Sequence, residues 1–318
     1  MAVLASPASL KGVLGAVDAA EALVEGFAAA EVDADARPIA DGGGGTAAVL
    51  AATLGGSWHH AVVAGPLGRS VSARWLMLPG RTAVVEAAEA IGLARLRPDE
   101  LDPMRASSRG LGELIHAALD EDPDELLVCL GDTATVDGGS GLMELLGGFP
   151  VPARAACDVR NPLLGPRGAA HAFGPQKGAT PGQVAELEAR LSARRSLTPF
   201  ADLPGAGAAG GLGAALAALG AELVSGAELV LELVGFRERV RSAELVVTGE
   251  GTVDTATLEG KAPGAALQVC REEDVRCVVF GGRILERLPG AELRELRGGP
   301  ERAREDLVVL GELLGREV

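Results

Sequence analysis

The sequence predicts a two-domain α/β protein, with a parallel-sheet domain and an inserted second α/β domain. Three observations support this. The chain has 318 residues and is 47% hydrophobic, which is enough to bury two sizeable cores. Short runs rich in Leu and Val alternate with amphipathic helical patterns, as in α/β proteins. One stretch breaks this alternation and is typical of a β-meander.

The N-terminal region predicts a strand over residues 2–5 and then a helix, because apolar residues from 14 to 27 recur at helical spacing. Three later runs end at Gly or Thr and predict buried parallel strands: 125–130, 244–248 and 276–280. Helical patterns lie between and around these runs, at residues 111–119, 184–191, 212–219, 227–234 and 263–272.

The break in the alternation covers residues 60–86. Strand-like runs at 60–64, 71–78 and 82–86 are joined by the turns GPLG and LPGR, which leave no room for helices. We therefore predict that residues 46–199 form an inserted α/β domain that contains this meander. Residues 1–45 and 200–318 then form the first domain.

Charge and targeting signals restrict the class of partner. The net charge of −15 disfavours non-specific binding to nucleic acid or to an anionic membrane. No apolar run approaches the ~20 residues of a membrane span, and the N-terminus does not have the pattern of a signal peptide. We expect a cytoplasmic protein without nucleic-acid or membrane partners. The oligomeric state is not predicted.

Cysteines and histidines do not form a metal-binding pattern. The four cysteines, at positions 129, 157, 270 and 277, lack the spacing of a CxxC site, and the four histidines lack an HExxH motif. We predict buried, reduced cysteines and no zinc site.

Four glycine-rich turns are candidate anion sites, because backbone N–H groups at a helix start attract phosphate. They are IADGGGGT (39–46), LGDTATVDGGSG (130–141), GAGAAGGLG (205–213) and TGEGTVD (248–254). Tight turns or close packing would explain each one equally well. The third turn matches GxGxxG, but no predicted strand precedes it, so a dinucleotide site is disfavoured.

Three of these turns contain acidic residues, namely Asp41, Asp137, Glu250 and Asp254. Each one alone could be a helix cap or a turn residue. The chain also has only three lysines, Lys11, Lys177 and Lys261, all beside glycine. Lysines for phosphate and carboxylates for metal or proton transfer suit phosphoryl transfer. Codon bias is the alternative explanation for the rare lysines.

Several motifs together resemble the bacterial glycerate kinases. They are SLKGVL, PIADGGGGT, SSRGLGELI, GDTATVDGGSG, ACDVRNPLLGPRGAAHAFGPQKGAT, GAAGGLG and VVTGEGTVDTATLEGKAP, which cover the chain to about residue 283. The resemblance implies a Rossmann-like first domain with an inserted second domain. It also implies an enzyme that phosphorylates D-glycerate with ATP and Mg²⁺.

The chain departs from the family pattern at several positions. Gly44 replaces the glutamate of ADGGEGT, and Asp132 replaces the second glycine of GGSATxDGG. The other departures replace an aspartate by Ala8, a threonine by Leu111 and an arginine by Thr252. Because of them, a catalytically impaired relative that binds a sugar acid or nucleotide stays open as an alternative. A nicotinamide oxidoreductase is a third possibility.

Motif positions within the resemblance imply the roles of individual residues. Asp158 is the candidate base, with Asp137 as its alternative, and Lys177 is the third catalytic residue. Glu250 and Asp254 would hold the metal. The implied substrate- or phosphate-binding residues are Lys11, Asp41, Ser107, Ser108, Thr135, Gly138, Gly139, Asn161, Arg167 and Lys261.

Overall fold

The computed structural model describes residues 3–318, so residue 2 of the first predicted strand and the start of the first predicted domain lie outside the described residues. The strands are β1 (Val3–Ala5), β2 (Ala34–Ala36), β3 (Ser57–Ala64), β4 (Ser70–Met77), β5 (Thr82–Glu86), β6 (Glu125–Cys129), β7 (Ala153–Cys157), β8 (Glu222–Ser225), β9 (Leu245–Val253), β10 (Arg276–Ile284) and β11 (Glu292–Glu295).

The α-helices alternate with these strands along most of the chain. They are α1 (Ala16–Ala29), α2 (Thr46–Leu54), α3 (Ala87–Ile91), α4 (Arg109–Leu119), α5 (Ser140–Met143), α6 (Ala169–Phe173), α7 (Pro181–Ser192), α8 (Ala208–Ala218), α9 (Gly226–Leu233), α10 (Phe236–Arg241), α11 (Ala262–Glu272) and α12 (Ala303–Gly315). The chain is a mixed α/β protein with two sheets, as predicted.

The first of two compact units comprises the described part of Met1–Asp41 together with Ala48–Leu54 and Ala227–Val318. Its sheet has the order β11-β10-β9-β1-β2, and every strand pair is parallel. Helices α1 and α12 pack so closely that a Cβ added at Gly26 would lie only 2.0 Å from Val308 O. Phe27 and Leu314 are fully buried in the core below this crossing.

The second unit comprises Gly42–Ala47 and Gly55–Gly226. Its sheet has the order β3-β4-β5-β6-β7-β8. Strands β3, β4 and β5 pair antiparallel, where the sequence predicts the meander, and β5 to β8 pair parallel. Trp75 and Leu111 lie in its main core. A second cluster, which includes Leu187 and Leu197, packs around α7.

Residues 200–226 lie in the second unit, whereas the sequence prediction placed them in the first domain. The reason is packing. Strand β8 pairs with β7 from Arg154 to Cys157, and Leu212 and Leu216 of α8 lie in the main core of this unit. The predicted insertion and its boundaries stay a prediction.

The four cysteines are buried, as the sequence predicts. Among the helices of residues 3–318, none is long and apolar enough to cross a bilayer.

Candidate functional site

Acidic residues lie at one edge of the sheet in the second unit. Strands β5, β6 and β7 are parallel neighbours, so their carboxyl ends meet at this edge. Glu86 ends β5, Asp132 lies just after β6, and Asp158 follows β7 directly. Ligands of parallel sheets bind at carboxyl ends, so this edge is the natural site in this unit.

The glycine loop 42–45 packs on the same edge. Gly131 N donates to Gly42 O at 3.3 Å. A Cβ added at Gly131 would lie 2.4 Å from Gly43 Cα, and one added at Gly42 would lie 3.1 Å from Ala156. Glycines are therefore needed here for close backbone approach.

Protein carboxylates already occupy two N–H groups of this loop and of the helix start behind it. Ala47 N, in the first turn of α2, donates to Glu86 Oε1 at 2.6 Å. Gly44 N donates to Asp132 Oδ2 at 3.2 Å. Burial raises the pKa of Glu86, and the backbone donors Ala47 and Gly45 oppose that shift. The turn predicted as a phosphate cradle thus already donates hydrogen bonds to two side-chain carboxyl groups.

Asp132 has a left-handed backbone, with φ of 59°. It is exposed, and its carboxylate accepts the hydrogen bond from Gly44. Two of the departures from the family pattern therefore meet in space: a carboxylate is absent at position 44 and present at position 132. Asp132 places an acid beside the backbone from which the family's glutamate would project.

Lys177 lies in the interior of the second unit with 3% of its surface exposed. Its Nζ donates to Thr135 O at 2.8 Å and to Thr133 Oγ1 at 3.2 Å. Burial lowers the pKa of Lys177 to about 7, against the opposing charges of Asp137 and Asp132. The lysine therefore binds the loop that follows β6 from the interior of the unit.

Asp137 fixes the other end of this loop. Its carboxylate accepts hydrogen bonds from Ser108 N and Oγ, Gly139 N, Ser140 Oγ and Gly141 N, at 2.7–3.3 Å. This arrangement caps the start of α5. Ser108 Oγ in turn accepts from Leu142 N at 3.0 Å.

Two predicted glycines allow the same loop to pack against its neighbours. Gly138 and Gly139 have φ of 58° and 69°. An added Cβ at Gly139 would lie 2.3 Å from Ala215 Cβ. Thr135 is fully buried, and its hydroxyl oxygen has no hydrogen-bond partner within residues 3–318. The unit thus brings together Ser108, Thr135, Asp137, Gly138, Gly139 and Lys177.

The segment after β7 carries the remaining predicted residues of this unit. Asp158 is half-buried at the carboxyl end of the strand. Asn161 Nδ2 donates to Arg167 O at 2.7 Å, which closes the loop between them. The Arg167 side chain is exposed. Ser107 Oγ accepts from Arg109 N at 3.2 Å.

A second polar cluster lies in the first unit, at the end of β9. Lys261 Nζ lies 2.9 Å from Glu250 Oε2 and 3.5 Å from Asp254 Oδ1. Thr257 Oγ1 donates to Glu250 Oε1 at 2.7 Å. Burial raises the pKa of Glu250, although Thr257 and Lys261 oppose the shift. Burial would lower the pKa of Lys261, but Glu250 and Asp254 outweigh it and raise this pKa.

Lys11 and Asp41 belong to the same unit as this cluster. Lys11 is exposed, and its backbone passes 3.7 Å from the position of an added Cβ on Gly251. Asp41 is half-buried just before the glycine loop.

Sequence reasoning missed Glu86, Thr133 and Thr257 as members of these sites. Thr257 had a usable signal, because it stands three residues after Asp254 in the spacing of a capping box. Glu86 and Thr133 had none, since their roles depend on which strands become neighbours.

Comparison with known proteins agrees with this architecture. The model of the glycerate kinase family matches residues 3–151 and 149–297. A glycerate kinase of Bacillus subtilis is 39% identical over 89% of this chain and 85% of its own length. A glycerate 2-kinase of Escherichia coli K12 is 38% identical over 90% and 86%.

A solved structure extends the agreement to the fold. The crystal structure of a candidate glycerate kinase 2 from Salmonella typhimurium LT2 superposes with a TM-score of 0.82 at 30% sequence identity. The match covers 100% of this chain and 98% of the other. Sequence and structure agree over nearly the whole length, and the chain belongs to the glycerate kinase family.

Proposed function

We propose that this protein is an ATP-dependent glycerate kinase, which transfers the γ-phosphoryl group of ATP to a hydroxyl group of D-glycerate. The observation that carries the proposal is similarity to proteins named glycerate kinase over about nine tenths of the chain. The loop after β6 supports it, because Lys177 and Asp137 hold the loop by hydrogen bonds and phosphoryl transfer depends on positioning more than on covalent chemistry. We also propose a cytoplasmic location, which suits an ATP-dependent enzyme with buried thiols.

Asp158 is the proposed base that accepts the proton of the reacting hydroxyl. It lies at the carboxyl end of β7, where a substrate of a parallel sheet binds. The alternative, Asp137, is less suited, because its carboxylate already accepts five hydrogen bonds, two from Ser108 and three from the start of α5. Protonating it would weaken those contacts.

The cluster of Glu250, Asp254 and Lys261 is proposed to bind the nucleotide phosphates. The carboxylates of Glu250 and Asp254 both lie beside the ammonium of Lys261. A pair of carboxylates at one place favours the binding of a cation. Within residues 3–318, no group of three His, Cys, Asp or Glu side chains is arranged to hold a metal ion. Mg²⁺ requires only one or two carboxylates beside phosphate oxygens and water, so Glu250 and Asp254 fit it. When bound, it would neutralise phosphate charge.

Lys177 is proposed to act indirectly, although the sequence suggested direct phosphate contact. Its ammonium is committed to Thr135 O and Thr133 Oγ1 inside the protein. It would therefore keep the backbone of residues 131–139 in position for the substrate. Arg167 is exposed in the segment after β7 and is proposed as a cation for the substrate or the phosphoryl group.

A coupled ADP-release assay with D-glycerate tests the function. We expect turnover for the wild type, and a fall in kcat of about 100-fold or more for D158N, since general bases contribute about 10² to 10⁴. D202N, at an exposed aspartate of the same unit, should match the wild type. No turnover, together with thermal stabilisation by D-glycerate or ATP, would instead identify a non-catalytic binding protein.

A further inference from the structure

A pocket of about 350 Å³ in the second unit is lined by Ser107 and Asp137 but by neither Asp158 nor Lys177, and no ligand has been assigned to it above. Its walls come from the segments 103–107, 136–140 and 187–194. Val136, Leu187 and Leu191 supply apolar wall, and three arginines supply the polar wall: Arg105, Arg190 and Arg194. An apolar wall with a few convergent polar groups is the usual form of a small-ligand site.

The arginines keep donors for a ligand. A guanidinium has five N–H donors. Arg194 is half-buried and donates to Asp137 O at 3.3 Å and to Met143 Sδ at 3.4 Å. It forms no ion pair in the part of the chain that the structure describes. Its hydrogen-bond partners are therefore one carbonyl and one thioether, both of them neutral.

The other two arginines are only weakly paired. Arg190 donates to Met104 O at 3.1 Å and pairs with Glu186 one helical turn away, where both side chains are more than half exposed. Such exposed pairs contribute little. Arg105 is 76% exposed, and Asp102 lies 4.0 Å from it. A bound anion could replace either partner.

Asp137 is the one carboxylate among the residues that line the pocket, so its single negative charge offsets only part of the charge of the three arginines. Its oxygens accept from Ser108, Gly139, Ser140 and Gly141. Ser107 also lines the pocket. Its oxygen accepts from Arg109 N, which leaves the hydroxyl hydrogen for a ligand.

We infer that this pocket binds the oxyanion end of a small hydroxy acid, with Arg105, Arg190 and Arg194 around the carboxylate. The net charge of the chain is −15, yet three arginines line this one pocket. Their positive charges attract anions to it. The volume lies at the low end of the ~300–1,000 Å³ of ligand pockets, which suits a three-carbon acid better than a nucleoside triphosphate. The inference rests on the proposed function, because it assigns the carboxylate subsite of that reaction.

The same N–H donors would also fit inorganic phosphate. The experiment must therefore distinguish binding of the D-glycerate carboxylate from binding of phosphate. We would measure KM for D-glycerate and for ATP, and separately the binding of D-glycerate and of inorganic phosphate by calorimetry. The variants are R190A, R194A and R194K. R195A is the matched control, because Arg195 is the exposed next residue and does not line the pocket. Thermal unfolding checks that each variant is folded.

We expect R190A and R194A to raise KM for D-glycerate by about tenfold or more, in line with the strength of charge-assisted hydrogen bonds. KM for ATP should not change. R194K should show a smaller effect, since it keeps the charge and loses the planar fork. Binding of D-glycerate should weaken in parallel, and R195A should behave as the wild type.

Unchanged KM and unchanged binding in folded R190A and R194A would overturn the inference. Arginine-dependent binding of phosphate but not of D-glycerate would also overturn it, because the site would then be a phosphate site. If the wild type shows no turnover but binds D-glycerate in a manner that depends on Arg194, the proposed kinase activity fails while the pocket assignment stands.

Discussion

At the scale of single residues, Lys177 shows how burial gives an ordinary side chain an unusual state. Its ammonium has two oxygen partners and almost no solvent. Two carboxylates, of Asp137 and Asp132, favour the charged form, but the cost of removing the ammonium from water is larger. The result is a pKa of about 7, against an ordinary value of 10.5.

This pKa predicts a pH dependence of stability. Below pH 7 the lysine is charged in both states, so the full cost of burying the charge is present. Between about 7 and 10.5 the unfolded chain binds more protons, so stability rises with pH. Relative to K177M, the wild type should gain about 2 kcal/mol in free energy of unfolding between pH 7 and 9, at about 1.4 kcal/mol per pKa unit. Urea unfolding at several pH values measures this difference, and parallel profiles for the two proteins would contradict it.

The contact between Gly44 and Asp132 predicts energetic coupling. G44E alone should be destabilising by about 1–2 kcal/mol, because its Cβ would lie 3.2 Å from Asp132 Oδ2 and would bring a second carboxylate there. D132G alone should change stability by less than about 1 kcal/mol. Glycine suits the left-handed backbone, which offsets the lost hydrogen bond from Gly44 N.

The double variant G44E/D132G restores one carboxylate in place of two. It should therefore be more stable than the sum of the single changes by about 1 kcal/mol or more. Urea unfolding of the wild type, the two single variants and the double variant measures the four free energies of unfolding that this comparison needs. Strict additivity would show that the two positions act independently.

At this scale the sequence identifies residue types better than environments. The rarity of lysine drew attention to Lys177, but it gave no sign that this side chain is buried against the loop after β6. Local sequence cannot show that Thr133 and Thr135 of the loop after β6 lie next to residue 177, because tertiary packing creates that contact.

At the scale of elements, the glycines of α8 allow this helix to pack closely against the loop after β6. Ala209, Gly210 and Gly211 are left-handed, with φ of 53°, 73° and 93°, and interrupt the helix. Gly138 N donates to Gly210 O at 3.1 Å. The GxGxxG match in this turn thus reflects close packing within the protein, in line with the absence of a preceding strand.

The close packing at Gly210 predicts that one added methyl group there will lower stability strongly. In G210A the new Cβ would lie 2.0 Å from Thr135 O, and the left-handed backbone adds a cost of its own. We expect a loss of about 2 kcal/mol or more in free energy of unfolding, since the left-handed conformation alone costs about 1–2 kcal/mol. Kinase turnover should fall as well, because the displaced backbone belongs to residues 131–139.

Gly182 provides a matched control for this change. It lies in the first turn of α7, with no atom within 4 Å of an added Cβ. G182A should be neutral or stabilising by up to about 1 kcal/mol, as alanine favours a helix. Equal losses in both variants would show that the close packing of Gly210 has no special importance.

Sequence patterns located the strands that have continuous apolar runs and missed strands without them, and they did not predict the long helix α12. The predicted parallel strands correspond to β6, β9 and β10, where apolar runs are continuous. Strand β7 has the sequence ARAAC, and β2 has only three residues, so neither carries a strand-like pattern. Both are strands because neighbouring strands supply their hydrogen bonds, which depends on tertiary context.

At the scale of the whole molecule, the core of the second unit depends on the segment that the sequence assigned to the first domain. Ala208, Leu212, Leu216, Leu219 and Ala221 lie in its main core. Burying each leucine contributes about 1.5–3 kcal/mol, so the three leucines contribute about 5–9 kcal/mol. This is comparable with the entire stability of a typical domain, about 5–15 kcal/mol.

Two fragments test this dependence. The fragment 55–226 keeps all six strands of the sheet and the leucines of α8, and we expect it to unfold cooperatively in urea. The fragment 46–199 has the predicted boundaries but lacks α8 and β8. It should show no cooperative transition, because the core is open and β7 becomes an unpaired edge. Circular dichroism and urea titration compare the two. Cooperative unfolding of 46–199 would mean that residues 200–226 only cover a core that is complete without them, and would favour the boundary predicted from the sequence.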